Sequence, residues 1–152
     1  MILSADSHAK IEAFHRSYNK DGGINLPPVY VYSGSFSRWL THQFGINAIT
    51  FGRHVFVNPD LVEKDEGGLL RAPAWLIAHE TTHVLQYERA GSLGFLIRYL
   101  SDYLLALREL RWKMDKDTKM QAYHAIRVEQ EALAAEHAFR RWKDDEAGAS
   151  EK

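Results

Sequence analysis

Apolar positions along the chain change their period near residue 73. Before that point short helical stretches and β-branched or aromatic runs are broken by Gly, Pro and Asn, and after it apolar positions recur at helical spacing almost without interruption. In the first part, Ile11, Phe14 and Tyr18 stand at i, i+3 and i+7 behind the cap residues Asp6 and Ser7. A helix is predicted from about Ser7 to Asn19, ended by Asp21-Gly22-Gly23. Val29 to Tyr32, after Pro27-Pro28, reads as a short strand, and Phe36 to Phe44 as a short helix stopped by Gly45. Asn47 to Phe51, Gly52-Arg53 and His54 to Val57 have the form of a tight hairpin, with Asn58-Pro59-Asp60 turning the chain beyond it.

Glu63 to Gly68 reads as a solvated loop. Pro73 suits a first helical turn and Gly91 a C-terminal cap, framing a helix from Pro73 to Ala90 whose apolar residues point nearly all round, as in a central, covered helix. A second helix is predicted from Leu93 to about Lys113. Arg98, Asp102 and Arg108 interrupt its leucines, so it reads as buried or interfacial and not as a membrane span. After a polar connection, a third runs from about Met120 to Trp142, and Asp144 to Lys152 reads as a frayed, disordered tail. The whole reads as one α+β domain over residues 1–143.

Charge and composition narrow the function. Nineteen basic and twenty acidic side chains give a net charge of −1, which lacks the basic footprint of a nucleic-acid binder. The chain has no Cys, which excludes a disulfide scaffold, a thiol nucleophile and thiolate ligation of a metal. Met1 to Lys10 lacks a basic start and an apolar signal core, so a soluble, unexported, cytoplasmic protein without integral membrane association is the default expectation.

The chemistry lies in His79-Glu80-Thr81-Thr82-His83, in the middle of the central helix. Residues i and i+4 lie about 40° apart around a helix, so two imidazoles can reach one metal from the same face while Glu80 sits beside it. A zinc ion held by two His and a third ligand keeps a position for water, lowers its pKa and polarises a carbonyl, and Glu80 can take the proton. At this composition a random order would produce H-E-x-x-H in roughly 3% of chains. The helical context lowers that further, because buried imidazoles without a metal need other partners.

A third protein ligand is required. Gln86 and Arg89 stand where the extended metzincin motif has Gly and His, which excludes that class. The remaining candidates are Asp102, Glu109, Glu129, Glu131 and Glu136, with His124 and His137 behind them. Asp102 is four residues from Arg98, an ordinary helix ion pair, and Glu109 is flanked by Arg108 and Arg111. In the last helix, Ile126, Val128, Leu133, Phe139 and Trp142 form a stripe that passes between the directions of Glu129 and Glu131, and periodicity does not choose between them.

Residues Ala48 to Gly52, His54 to Val57 and Leu76 to Tyr87 resemble the predicted zincin-type metallopeptidase domains of bacteria that carry an H-E-[LM]-T-H-V-x-Q motif. Such domains often occur near toxins and contractile injection systems. The resemblance covers about residues 45–92 and resumes at Glu129-Gln130-Glu131-Ala132, similar to the family's later E-Q-x-A or E-x-E-A helix. It implies Glu129 as the third ligand, and a zincin-like architecture in which a small twisted sheet packs on the motif helix beside C-terminal helices. It further implies an edge strand in the hairpin Asn47 to Val57, able to pair with an extended peptide. Thr81 departs from the family's Leu or Met, a surface or packing change with no evident effect on the metal. Tyr123 or His124 is a candidate donor to a developing oxyanion.

The expected function is a zinc-dependent peptidase, or peptidase-like amide hydrolase, with His79, His83 and Glu129 on Zn2+, Glu80 as general base, and a peptide or protein substrate. The alternative is a noncatalytic interaction module that retains the metal site.

Overall fold

The computed structural model describes residues 2–19, 23–64, 70–109, 121–123 and 125–150. Helix α1, Ala5–Tyr18, starts two residues before the predicted helix because the Ser4 hydroxyl, not Asp6 or Ser7, caps it by accepting from the Ser7 N–H. Strand β1, Tyr30–Tyr32, leads into α2, Ser35–Phe44, and then into β2, Ala48–Phe51, and β3, His54–Val57. Gly45 ends α2 in the left-handed region (φ 64°), where a Cβ would be strained, and Gly52 (φ 58°) opens the hairpin turn. The sheet order is β1-β3-β2, with β1 parallel and β2 antiparallel to β3. This leaves β2 on an edge.

Strand alternation decides what the sheet shows to each side. Thr50 pairs with Val55 and Ala48 with Val57, and all four are buried, whereas Phe51 and His54 are exposed. Of the segment expected to be a solvated loop, Glu63 and Lys64 form strand β4 (Glu63–Lys64), which pairs antiparallel with β5 (Leu70–Arg71), and residues 65–68 lie outside the described residues.

Helix α3, Ala74–Glu109, consists of two helical arms that meet at a kink at Gly91 (φ 69°, ψ 160°), the position expected to end the central helix. Its first arm buries Leu76, Ile77, Ala78, Glu80, Thr81, His83, Val84, Leu85 and Gln86, which meets the expectation of a helix covered on most sides. The second arm is different: Leu93, Leu96, Ile97, Leu100, Leu104 and Leu105 are 48–71% exposed, while Phe95, Asp102, Ala106 and Leu107 are buried. Of the two expected readings, buried or interfacial, burial holds for one face of this arm only.

Helix α4, Arg127–Ser150, continues through residues 144–150, where a frayed tail was expected. Lys113, Met120 and His124 lie outside the described residues, so the predicted helix ends there are not placed. The buried stripe of α4 is Val128, Ala132, Ala135 and Phe139; Leu133, expected in that stripe, is 39% exposed. Two alanines let α4 approach α3 closely. The main core gathers Ile11 and Phe14 from α1, Val55 and Val57 from β3, Leu76, Ile77 and Val84 from α3, and Phe139 from α4. Among the described residues no helix is long and apolar enough to cross a membrane.

Candidate metal centre

The first arm of α3 sets His79 and His83 one turn apart on the face that meets α4, and α4 brings Glu129 to both. Glu129 Oε2 lies 3.7 Å from His79 Nε2 and 3.5 Å from His83 Nε2. One ligand atom from each of the three residues falls within 4.8 Å of the others, so the group could hold a metal ion. Glu129 and Glu136, seven residues apart, share one side of the α4 stripe, and Glu136 Oε2 lies 3.4 Å from His79 Nδ1.

Of the other candidate ligands, Asp102, Glu131 and Glu136 have partners of their own. Asp102 pairs not with Arg98, as its spacing suggests, but with Arg127, whose guanidinium donates at 2.8 Å and whose backbone N–H donates at 3.2 Å. Asp102 thereby receives the first turn of α4 and sets its register two residues before Glu129; hydrogen bonding from Arg127 holds its carboxyl below the usual range. Glu131 accepts from Gln86 Nε2 at 2.9 Å. Glu136 also accepts from Arg140 at 2.9 Å, and His137 is exposed.

Hydrogen bonds determine which nitrogen of His83 faces Glu129 as a lone pair. Gln86 Nε2 donates to the Val128 carbonyl (3.1 Å) and to Glu131, so that end of the amide is the NH2. Its Oε1 must then accept from His83 Nδ1 at 2.8 Å, which leaves Nε2 aimed at a carboxylate oxygen. Two acceptors facing each other require a cation between them. At His83 burial opposes charge, but the hydrogen bond to Glu129 and the charges of Glu129 and Glu80 outweigh it and raise the imidazole to about 9. Burial likewise opposes the Glu129 carboxylate, yet His79, His83 and Tyr123 hold it well below the usual range. A proton can supply that charge, and a divalent metal would supply it to all three donors at once. His79 Nδ1 is buried without a properly aligned partner, Glu136 Oε2 being near but out of line. A His79 that ligates through Nε2 would carry its proton on Nδ1 and turn it to that carboxylate.

Glu80 lies on the wall of the same cleft with Asn47, Ala48, Trp75 and Tyr123. Its Oε2 accepts from the Thr50 hydroxyl at 2.7 Å, a contact that follows from the inward parity of Thr50 on β2. Burial raises the Glu80 carboxyl above the ordinary range against the pull of the two imidazoles and Thr50. The Tyr123 hydroxyl donates to Glu129 Oε2 at 2.7 Å, so in this arrangement its proton orients the ligand carboxylate and is not free for an oxyanion.

Thr81 is not a surface change. It is fully buried and donates to the Ile77 carbonyl (2.7 Å), so its oxygen accepts from His15 Nε2 at 2.9 Å and ties α1 to the motif helix. Thr50 and the role of Gln86 escape sequence reasoning. Strand parity around Thr50 and the i, i+3 spacing from His83 to Gln86 are the signals that would have found them.

No curated protein and no solved structure matches the chain. A family model described as the eCIS core domain, the core domain associated with extracellular contractile injection systems, matches residues 11–91. That span runs from α1 through the motif helix, more than half of the chain, and includes Thr50, His79, Glu80, His83 and Gln86. On that match the chain belongs to the eCIS core domain family.

Proposed function

We propose that this eCIS core domain is a zinc-dependent peptidase or peptidase-like amide hydrolase of zincin type. The observation that carries the reading is the placement of Glu80: a buried carboxylate, anchored by Thr50, on a cleft it shares with His79, one of the three residues His79, His83 and Glu129 whose ligand atoms converge. A site serving structure alone needs no such base and usually takes four protein ligands. His79, His83 and Glu129 would hold the ion, with Gln86 fixing the His83 tautomer and Tyr123 orienting Glu129. Zinc bound there would lower the pKa of water and polarise a carbonyl. Glu80, made more basic by burial, takes the proton from water and returns it to the leaving amine, while Thr50 holds its carboxylate in line. β2 is an edge strand whose Ala48 lines the cleft, and an extended peptide pairing with it would bring its carbonyl over the site.

The family description favours a second reading, in which the domain serves as a noncatalytic part of a protein assembly and the metal site is a staple. Glu80→Gln separates the two. On the first reading it keeps about one zinc per chain, by metal analysis, and abolishes hydrolysis of a quenched-peptide library; equal activity in variant and parent refutes the role of Glu80. Absence of tight zinc binding after reconstitution at neutral pH refutes both.

A further inference from the structure

The cleft lined by His79 and Glu80 has walls that the proposed chemistry does not use. Trp75 and Leu76 stand one turn before His79 and Glu80 on α3, and Glu136 stands two turns beyond Glu129 on α4. Ile46, from the link between α2 and β2, and Ala48, the first residue of β2, complete the lining on the sheet side. The polar side chains of these walls are largely engaged. Glu136 accepts from Arg140 at 2.9 Å, and its other oxygen lies 3.4 Å from His79 Nδ1, so a guanidinium and an imidazole already face its charge. The Tyr123 hydroxyl donates to Glu129, and Glu80 accepts from Thr50. Arg140 also fixes the indole wall, because its guanidinium carbon lies 4.6 Å from the centre of the Trp75 ring. One cation thus holds both the carboxylate and the aromatic side of the cleft. Apart from the exposed Asn47, the side chains left for an occupant are apolar: Trp75, Leu76, Ile46 and Ala48.

We infer that this part of the cleft receives a large apolar side chain of the substrate, next to the bond that is cut, and that Trp75 is the residue that sets this specificity. The inference rests on the metal-dependent reading proposed above. Size and charge both favour that occupant. The cleft offers about 190 Å³, and about 150 Å³ of apolar cavity is enough for a benzene-sized guest, so a phenylalanine or leucine side chain fits where a methyl group would leave the walls uncovered. A basic side chain would find Glu136 already paired with Arg140. An acidic one would meet the Glu136 and Glu80 carboxylates while the nearest guanidinium is committed to Glu136.

Binding of zinc-directed probes tests this without turnover. Small hydroxamates ligate zinc through their own oxygens, so the group carried on the acyl chain is free to settle in whichever neighbouring space suits it. Calorimetric titration of the zinc-loaded full chain compares acetohydroxamate with hydroxamates that carry a phenylpropionyl, an aminohexanoyl or a succinyl chain. A single methylene in an apolar pocket is worth roughly 10 to 200-fold, so the phenyl probe should bind the parent at least about tenfold tighter than acetohydroxamate.

In Trp75→Ala the two probes should bind within about threefold of each other. Ile46→Trp, which narrows the same space from the α2–β2 link, should likewise reduce the preference for the phenyl probe, and it supplies the measurement should Trp75→Ala fail to fold. Equal binding of the phenyl and methyl probes by the parent, a preference that survives in both variants, or tightest binding by the amino or the carboxylate probe overturns the inference. In each of those outcomes zinc is held and the metal-dependent reading stands. A chain that does not hold zinc refutes that reading and this inference with it.

Discussion

Buried neutral histidine should make this fold acid-sensitive in a way that a single substitution removes. His15 is 1% exposed between α1 and the motif helix, and burial, aided by the positive charge of Arg89, lowers its pKa to about 4. In the unfolded chain a histidine titrates near 6.5. The folded value is the lower one, so the unfolded state binds more protons between these two values, and stability present above about pH 6.5 is lost as pH falls toward 4. Integrating that difference gives about 2 kcal/mol lost between pH 7.5 and pH 5, and about 3 kcal/mol at full extent. The assay is urea denaturation of the parent and of His15→Gln at both pH values, in chelator. The metal-site residues are common to the two proteins, so their titration cancels in the comparison. His15→Gln should be less stable at pH 7.5, because it loses the fit to Thr81, but the gap should narrow by about 2 kcal/mol at pH 5. A gap that stays constant between the two pH values would mean that His15 charges freely in the folded protein and that its burial is not what the geometry states.

Other substitutions probe the site and the core. Glu129→Ala should weaken zinc affinity by well over 100-fold in a chelator competition, whereas Asp102→Ala and Glu131→Ala cost much less; release of metal by either of the latter with retention by Glu129→Ala would reassign the third ligand. Gln86→Leu removes the acceptor that orients His83 and should lower zinc affinity roughly 10 to 100-fold in the same titration, with unchanged affinity refuting the tautomer argument. Phe139→Ala opens the core where Phe139 meets Phe14 edge-on (5.1 Å) and should cost about 3–5 kcal/mol by urea denaturation; a loss under 1 kcal/mol would place that ring outside the main core.

Local and periodic information was enough for much of this protein. Glycines that only a left-handed turn explains mark the end of α2, the hairpin and the break in α3, and period-2 and helical apolar patterns place β1 to β3 and the motif helix between them. The i, i+4 pair His79 and His83 is likewise a property of one helix and was legible before any packing was known. What joins distant segments was not. Glu129 and Glu131 stand about 200° apart on α4, and which of them meets the imidazoles depends on the register at which Asp102 receives Arg127 and on the alanines that let α4 approach. Thr81 reads as a surface or packing position until His15, 66 residues away, is brought against it. The leucines of the second arm read only as buried or interfacial, because hydrophobicity says that a side chain prefers cover, not what supplies it. One-dimensional pattern records the preferences of each residue along its own helix or strand, while partners across elements are chosen by how those elements pack, and only the tertiary structure holds that choice.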